Sequence, residues 1–258
     1  MTSPHSTPGL FSQLWWRFIP ARPEEYACAG FQDLDHRLSV DARSFVADSY
    51  PRNHTYTASG NQLIPRPKLA NRVARLSRHY PSGFRSFIDL SCSKGFFVFH
   101  AALQNECQRA LGIDLDERCL DVCRSLQLEF DKRDRVRFEK LTLPELADRI
   151  DEFGGPFETA LLVNTYQYLV FGSSVAPRVS HDHGEIFRVL RKICSGRLIF
   201  HNRLNLKDLQ DSVQTGLTDE CRQVVYEPDV IARAASEYFH VSRLDRWSKR
   251  PVWLLDAR

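Results

Sequence analysis

Between residues 86 and 202 short apolar runs alternate with helix-forming stretches, and no other feature narrows the fold of this chain as far. Residues 86–90, 110–114, 135–141, 159–164 and 197–202 read as strands. Residues 96–103, 117–129, 144–150 and 183–194 read as the helices between them. Strands that each lead into a helix form βαβ units, which build a largely parallel sheet with helices on both faces. The tail breaks this rhythm. A helix at 229–238 is followed by strands at 239–244 and 252–255, separated only by Trp247-Ser248-Lys249-Arg250-Pro251. That link is too short for a crossover helix, so the last two strands are expected to run antiparallel.

The 258 residues suffice for one such domain with a small accessory segment. A composition of 43% hydrophobic and 26% charged residues is that of an ordinary globular protein. The net charge of +3, with Lys and Arg spread along the chain, permits a nucleic-acid partner without calling for one. No apolar run approaches the ~20 residues of a membrane span, and the N-terminus lacks a basic region followed by an apolar stretch, so a cytoplasmic protein is expected. The seven cysteines are odd in number and none shows CxxC spacing. Cys119 and Cys123 share a helical face but lack a second pair, so reduced, buried thiols are expected, and no metal.

Residues 1–80 read as an accessory or lid segment and residues 81–258 as the main domain. Residues 1–8 are polar and expected to be disordered. Leu10, Phe11, Leu14, Trp15 and Phe18 form one helical stripe. Residues 26–67 are mixed in pattern, with some helix expected at 38–48. Leu69, Val73 and Leu76 mark an amphipathic helix at 68–80 that carries Arg72, Arg75 and Arg78. Tyr50, Tyr56 and Lys68 are placed, by position alone, in a lid over a substrate.

Three strand ends carry the chemistry. The first is Phe87-Ile88-Asp89-Leu90-Ser91-Cys92-Ser93-Lys94-Gly95-Phe96-Phe97: an apolar strand, an acidic residue, a loop of small residues, then a helix. In an open α/β sheet ligands bind outside the carboxyl ends of strands, where small residues let backbone approach ligand. The second is Ala110-Leu111-Gly112-Ile113-Asp114-Leu115-Asp116, whose Asp114 stands 19 residues after Gly95 and can accept hydrogen bonds from ribose hydroxyls. Asp116 is expected to cap the following helix. The third is Leu161-Leu162-Val163-Asn164-Thr165-Tyr166-Gln167-Tyr168-Leu169.

These segments, in this order, resemble the class I S-adenosylmethionine-dependent methyltransferases over residues 85–258. The first resembles the family's Asp-plus-alternating-glycine loop, with Ser91 and Ser93 at the first two glycine positions and Gly95 at the third. In the third, Gln167 and Tyr168 stand where a His-His pair often follows the strand-four Asn. The resemblance implies a Rossmann-like, mostly parallel seven-stranded sheet ending in an antiparallel hairpin, with an N-terminal helical accessory segment. It implies S-adenosyl-L-methionine as cofactor, held by Asp89, Ser91, Ser93, Gly95, Asp114 and Asn164. Tyr166, Tyr168 and His201 are the candidates for shaping the transfer site or moving a proton. His181 and His183, a possible two-histidine metal site, are better explained by an Asp182 cap and solvated imidazoles.

The expected reaction is in-line transfer of a sulfonium methyl to an O, N or C atom of a small-molecule substrate. No Asn/Asp-Pro-Pro-aromatic sequence follows strand four, which argues against amino-methylation of bases. There is no Pro-Cys, which argues against a cysteine-nucleophile cytosine methyltransferase. Two alternatives stay open: a tRNA- or RNA-modifying methyl- or carboxymethyl-transferase using the Arg-rich helix, and a non-catalytic scaffold on the same fold.

Overall fold

The computed structural model describes residues 56–59, 62–128, 130, 132–173, 177–247 and 250–258. The expected helices at 10–18 and 38–48, and Tyr50, lie outside them. A small antiparallel hairpin, Tyr56–Ser59 (β1) with Gln62–Pro65 (β2), precedes helix α1, Pro67–Ser77. Pro67 opens α1 at a position where the missing N–H costs no intrahelical bond.

The main sheet has seven strands: Ser86–Asp89 (β3), Arg109–Ile113 (β4), Val136–Glu139 (β5), Phe157–Val163 (β6), Cys194–His201 (β7), Phe239–Trp247 (β8) and Arg250–Ala257 (β9). Their spatial order is β5-β4-β3-β6-β7-β9-β8. The first five are mutually parallel, and β9 pairs antiparallel with both β7 and β8. The expected mixed sheet with its antiparallel end is thus present. The final hairpin is tighter than its sequence suggested: Trp247 pairs directly with Arg250, so both strands extend into the presumed link.

Helices cover both faces, which is why the central strands are apolar on both sides. Phe87, Ala110, Leu161 and Ile199 face a core shared with α1, with Phe96–Ala102 (α2) and with Glu117–Leu128 (α3). Their neighbours Ile88, Leu111, Leu162 and Phe200 face a second core with Leu143–Asp148 (α4), His183–Ile193 (α6) and Pro228–Ala235 (α9). Leu69, Val73 and Leu76 of α1 are buried in the first of these cores, so this part of the accessory segment is continuous with the sheet's packing. Three short helices had no counterpart in the sequence reading: Tyr166–Phe171 (α5), Asp211–Gln214 (α7) and Asp219–Arg222 (α8).

Local chemistry sets the helix starts. Thr142 and Glu145 form a reciprocal capping box on α4. Asp182 caps α6 by accepting the Gly184 N–H at 2.8 Å. All six described cysteines are buried and free. No helix among the described residues is long and apolar enough to cross a membrane.

Candidate functional site

Strand order reverses between β3 and β6, and their carboxyl ends frame a crevice of the kind where open α/β sheets bind ligands. The loop after β3 forms one lip. Asp89 is 2% exposed and accepts the Ser91 N–H at 3.2 Å. Burial pushes its carboxyl up to about 7, aided by the nearby charge of Asp114 and opposed by the Ser91 N–H and by Arg72.

Ser93 has φ +48°, so it keeps the left-handed backbone that a glycine would adopt there without strain. Gly95, at φ +76°, has no such latitude: a Cβ would lie 2.9 Å from the rings of both Phe138 and Phe99. The aromatic packing beneath the loop therefore requires glycine at Gly95 and tolerates serine at Ser93.

Asp114, at the end of β4, ties the loop down. Its Oδ2 accepts the Ser93 N–H at 2.8 Å, and its Oδ1 accepts the N–H groups of Leu115 and Asp116 at 2.8 and 3.0 Å. A carboxylate offers about four acceptor positions, so about one remains for a ligand. Asp116 accepts the Arg118 N–H at 3.0 Å at the start of α3, as expected of a capping residue.

The other lip follows β6. Asn164 has φ +61°, and its Oδ1 is buried without a hydrogen-bond partner among the described residues. Thr165 Oγ1 lies 2.5 Å from Ser91 Oγ, so the two lips touch through their hydroxyls. That contact turns the Ser91 side chain along the wall of the crevice and leaves its interior open. Asn202, wholly buried at the end of β7, holds this turn. Its Oδ1 accepts the N–H groups of Thr165 (2.8 Å) and Tyr166 (3.0 Å), and its Nδ2 donates to the Leu162 carbonyl (2.8 Å). Asn202 ends the strand expected at 197–202, but the sequence does not reveal the clamp. Asn202→Ala would strand two buried backbone groups and one part-buried one, and an expected loss of about 2–4 kcal/mol in unfolding free energy is measurable by urea denaturation.

The candidate proton-handling residues part company here. Tyr168 lines the crevice, and its hydroxyl donates to Gln210 Oε1, which ties α5 to the segment before α7. Tyr166 does not line it. It is 0% exposed, stacks on His183 and Phe187, and its hydroxyl meets His183 Nδ1 at 2.8 Å. His183 Nε2 faces the Val225 carbonyl, which only accepts, so Nδ1 takes the Tyr166 proton. Burial depresses the basicity of His183 and raises the Tyr166 hydroxyl well above its ordinary value. His201 is likewise 0% exposed on β7, between Val163 and Val252 in the sheet, and off the crevice wall. Tyr166 thus packs in the second core and His201 on the first-core side of β7, and neither is among the residues that line the crevice.

His181 and His183 do not converge. His181 sits 3.4 Å from Glu220 and 2.9 Å from Arg178. Among the accessory residues, Tyr56 is buried, packs edge-on against Phe96 and donates to the Lys94 carbonyl at 3.3 Å, which places it on the outer side of the loop. Lys68 is exposed on α1. Arg72 is turned inward, its guanidinium lowered to about 10 by burial and by Arg250.

The crevice is a cavity of about 920 Å³. Ser91, Asp114, Leu115 and Leu143 line one part, Thr165 and Tyr168 its middle. The sequence matches no protein-family model, and no curated protein is similar to it. Its architecture does match solved structures. An O-methyltransferase family protein from Burkholderia thailandensis aligns with TM-score 0.52 and 15% identity over 96% of this chain and 69% of that one. A geranyl diphosphate methyltransferase, in complex with GPP and sinefungin, aligns with TM-score 0.51 and 13% identity over 75% of this chain and 80% of that one. The CurJ carbon methyltransferase gives TM-score 0.50 and 11% identity over 72% of this chain, which spans about half (52%) of that structure. Strand order, the β3 loop and these alignments together establish that the chain has the fold of the class I S-adenosylmethionine-dependent methyltransferases.

Proposed function

We propose that this protein binds S-adenosylmethionine in the crevice and transfers its methyl group to an O, N or C atom of a small molecule. One observation carries the reading: the Asp114 carboxylate, with acceptor capacity to spare, lines the same cavity as Ser91 at the strand-order switch of a methyltransferase fold.

The residues present fit the cofactor. Asp114 would accept from a ribose hydroxyl, while Leu115, Leu141 and Leu143 offer an apolar flank for the adenine. Asp89, beneath the loop, would supply negative charge toward the amino end, and the orphaned Asn164 Oδ1 would accept there as well. Once bound, the cofactor supplies an already activated methyl group. The chain's own contribution is therefore positional. The Ser91–Thr165 contact and the Asn202 clamp fix the two lips, and the Tyr168 ring, which lines the cavity, would offer an aromatic face to a cationic sulfonium. With Tyr166 and His201 in the core, neither serves as a base at the crevice.

The RNA reading loses support from Arg72, which the Arg-rich helix turns into the protein instead of toward phosphates. The test is calorimetric titration with S-adenosylmethionine and S-adenosylhomocysteine. Micromolar binding of both is expected. A folded protein that binds neither would overturn the proposal in favour of a non-catalytic scaffold.

A further inference from the structure

The cavity's lining extends past the residues assigned to the cofactor. At about 920 Å³ the cavity lies near the top of the range, about 300–1,000 Å³, that serves a single drug-sized ligand. Beyond Thr165 and Tyr168 it continues into a second lobe between α5 and the α7–α8 segment. Leu169, Phe171, Val179, Val213 and Leu217 supply its apolar wall.

Two features define what this lobe accepts. Its lining contains one cationic side chain among the described residues, Arg178, and that charge is already engaged at the rim. Arg178 lies 3.7 Å from Glu220 and donates to His181 Nε2 at 2.9 Å, and His181 Nδ1 faces Glu220 at 3.4 Å. The cation and the carboxylate cancel, and the histidine between them accepts from one and donates to the other. The apolar wall itself carries no charged side chain, so a phosphate or carboxylate ligand would find a counter-charge only at this exposed rim pair, whose net charge is small. An uncharged ligand would leave it intact.

The lobe is also held to the cofactor side by specific bonds. Tyr168 and Gln167 both reach Gln210, immediately before α7, and the Val179 N–H donates to the Leu169 carbonyl at 2.8 Å. The apolar wall thus lines the same cavity as Ser91 and Asp114.

We propose that this second lobe seats the methyl acceptor, and that the acceptor is an uncharged small molecule with an apolar body. The inference rests on the methyltransferase reading and narrows it. Val179 and Leu217 are assigned as specificity-determining residues.

The neutral solvatochromic dye prodan tests this in the full-length protein, with the anionic dye ANS as comparator. Prodan is expected to bind with micromolar affinity and blue-shifted emission, and to remain bound when S-adenosylhomocysteine saturates the protein. Leu217→Glu, and independently Val179→Glu, should weaken prodan at least tenfold while leaving S-adenosylhomocysteine affinity within threefold. That retained affinity also shows that the variants fold. Displacement of prodan by S-adenosylhomocysteine, indifference to both substitutions, or tighter binding of ANS through Arg178 would each overturn the inference. If wild-type protein binds prodan in a Leu217-dependent way but no S-adenosylhomocysteine, the apolar site stands and the methyltransferase reading falls instead.

Discussion

Replacing Asp114 with alanine is expected to lower S-adenosylhomocysteine affinity by at least about 100-fold while the protein stays folded. The carboxylate holds three backbone N–H groups of the loops and, in the proposed site, would also accept from the ligand. Hydrogen bonds to a charged group contribute about 1.5–3 kcal/mol each, so losing the ligand bond together with the Ser93 anchor amounts to about 3–6 kcal/mol, or two to four decades. Folding is expected to survive because the freed N–H groups are only part-buried and can be hydrated once the carboxylate is gone. Asp114→Asn keeps the shape but has one acceptor oxygen in place of two, so its affinity should fall between those of wild type and the alanine variant. Calorimetry on all three decides the matter. Equal affinity in the alanine variant would remove Asp114 from the binding site.

Asp89→Asn should act in opposite directions on stability and on binding. The unfolded carboxyl ionises near 3.9, the folded one near 7. Folding therefore takes up a proton between these values. Below about pH 4 both states are protonated and nothing is lost. As pH rises from about 4 to about 7 the unfolded state alone gives up its proton, so stability falls progressively by up to about 4 kcal/mol and the loss levels off above pH 7. Asparagine removes that cost while its carbonyl can still accept the Ser91 N–H. The variant's advantage over wild type should widen by about 3 kcal/mol between pH 5 and pH 8, read from urea denaturation. At pH 8 the same variant should bind S-adenosylmethionine at least tenfold more weakly, because the charge opposite the cofactor's amino end is gone. Parallel stability profiles across this range would show that Asp89 holds no proton.

Much of this molecule is written locally. The strands β3, β4, β6 and β7 are short, buried runs punctuated by caps and small-residue loops, and their period separates them from the helices without reference to anything distant. The loop with Gly95 and the Asp114 that follows it are near each other in sequence and belong to one βαβ unit, so their meeting was legible. What lay beyond reach depends on contacts between distant segments. Helices α5, α7 and α8 have six, four and four residues, too few to hold themselves without tertiary contacts. The residues of α5 show the consequence. Tyr166 and Tyr168 are two positions apart, about 200° around a helix, so only one can face the crevice. The sequence offers both alike, and burial against His183, Phe187 and Tyr226 decides that it is Tyr168. Arg72 and Asn202 were equally ambiguous: a basic residue on an amphipathic helix and an Asn at a strand end are compatible with solvent or interior. The sequence alone determined which strands of the main sheet form and which of their ends carry polar groups, because those follow from local periodicity and turn chemistry. Only the tertiary structure decided which of those groups face the cavity, because that depends on which face of each element the rest of the chain covers.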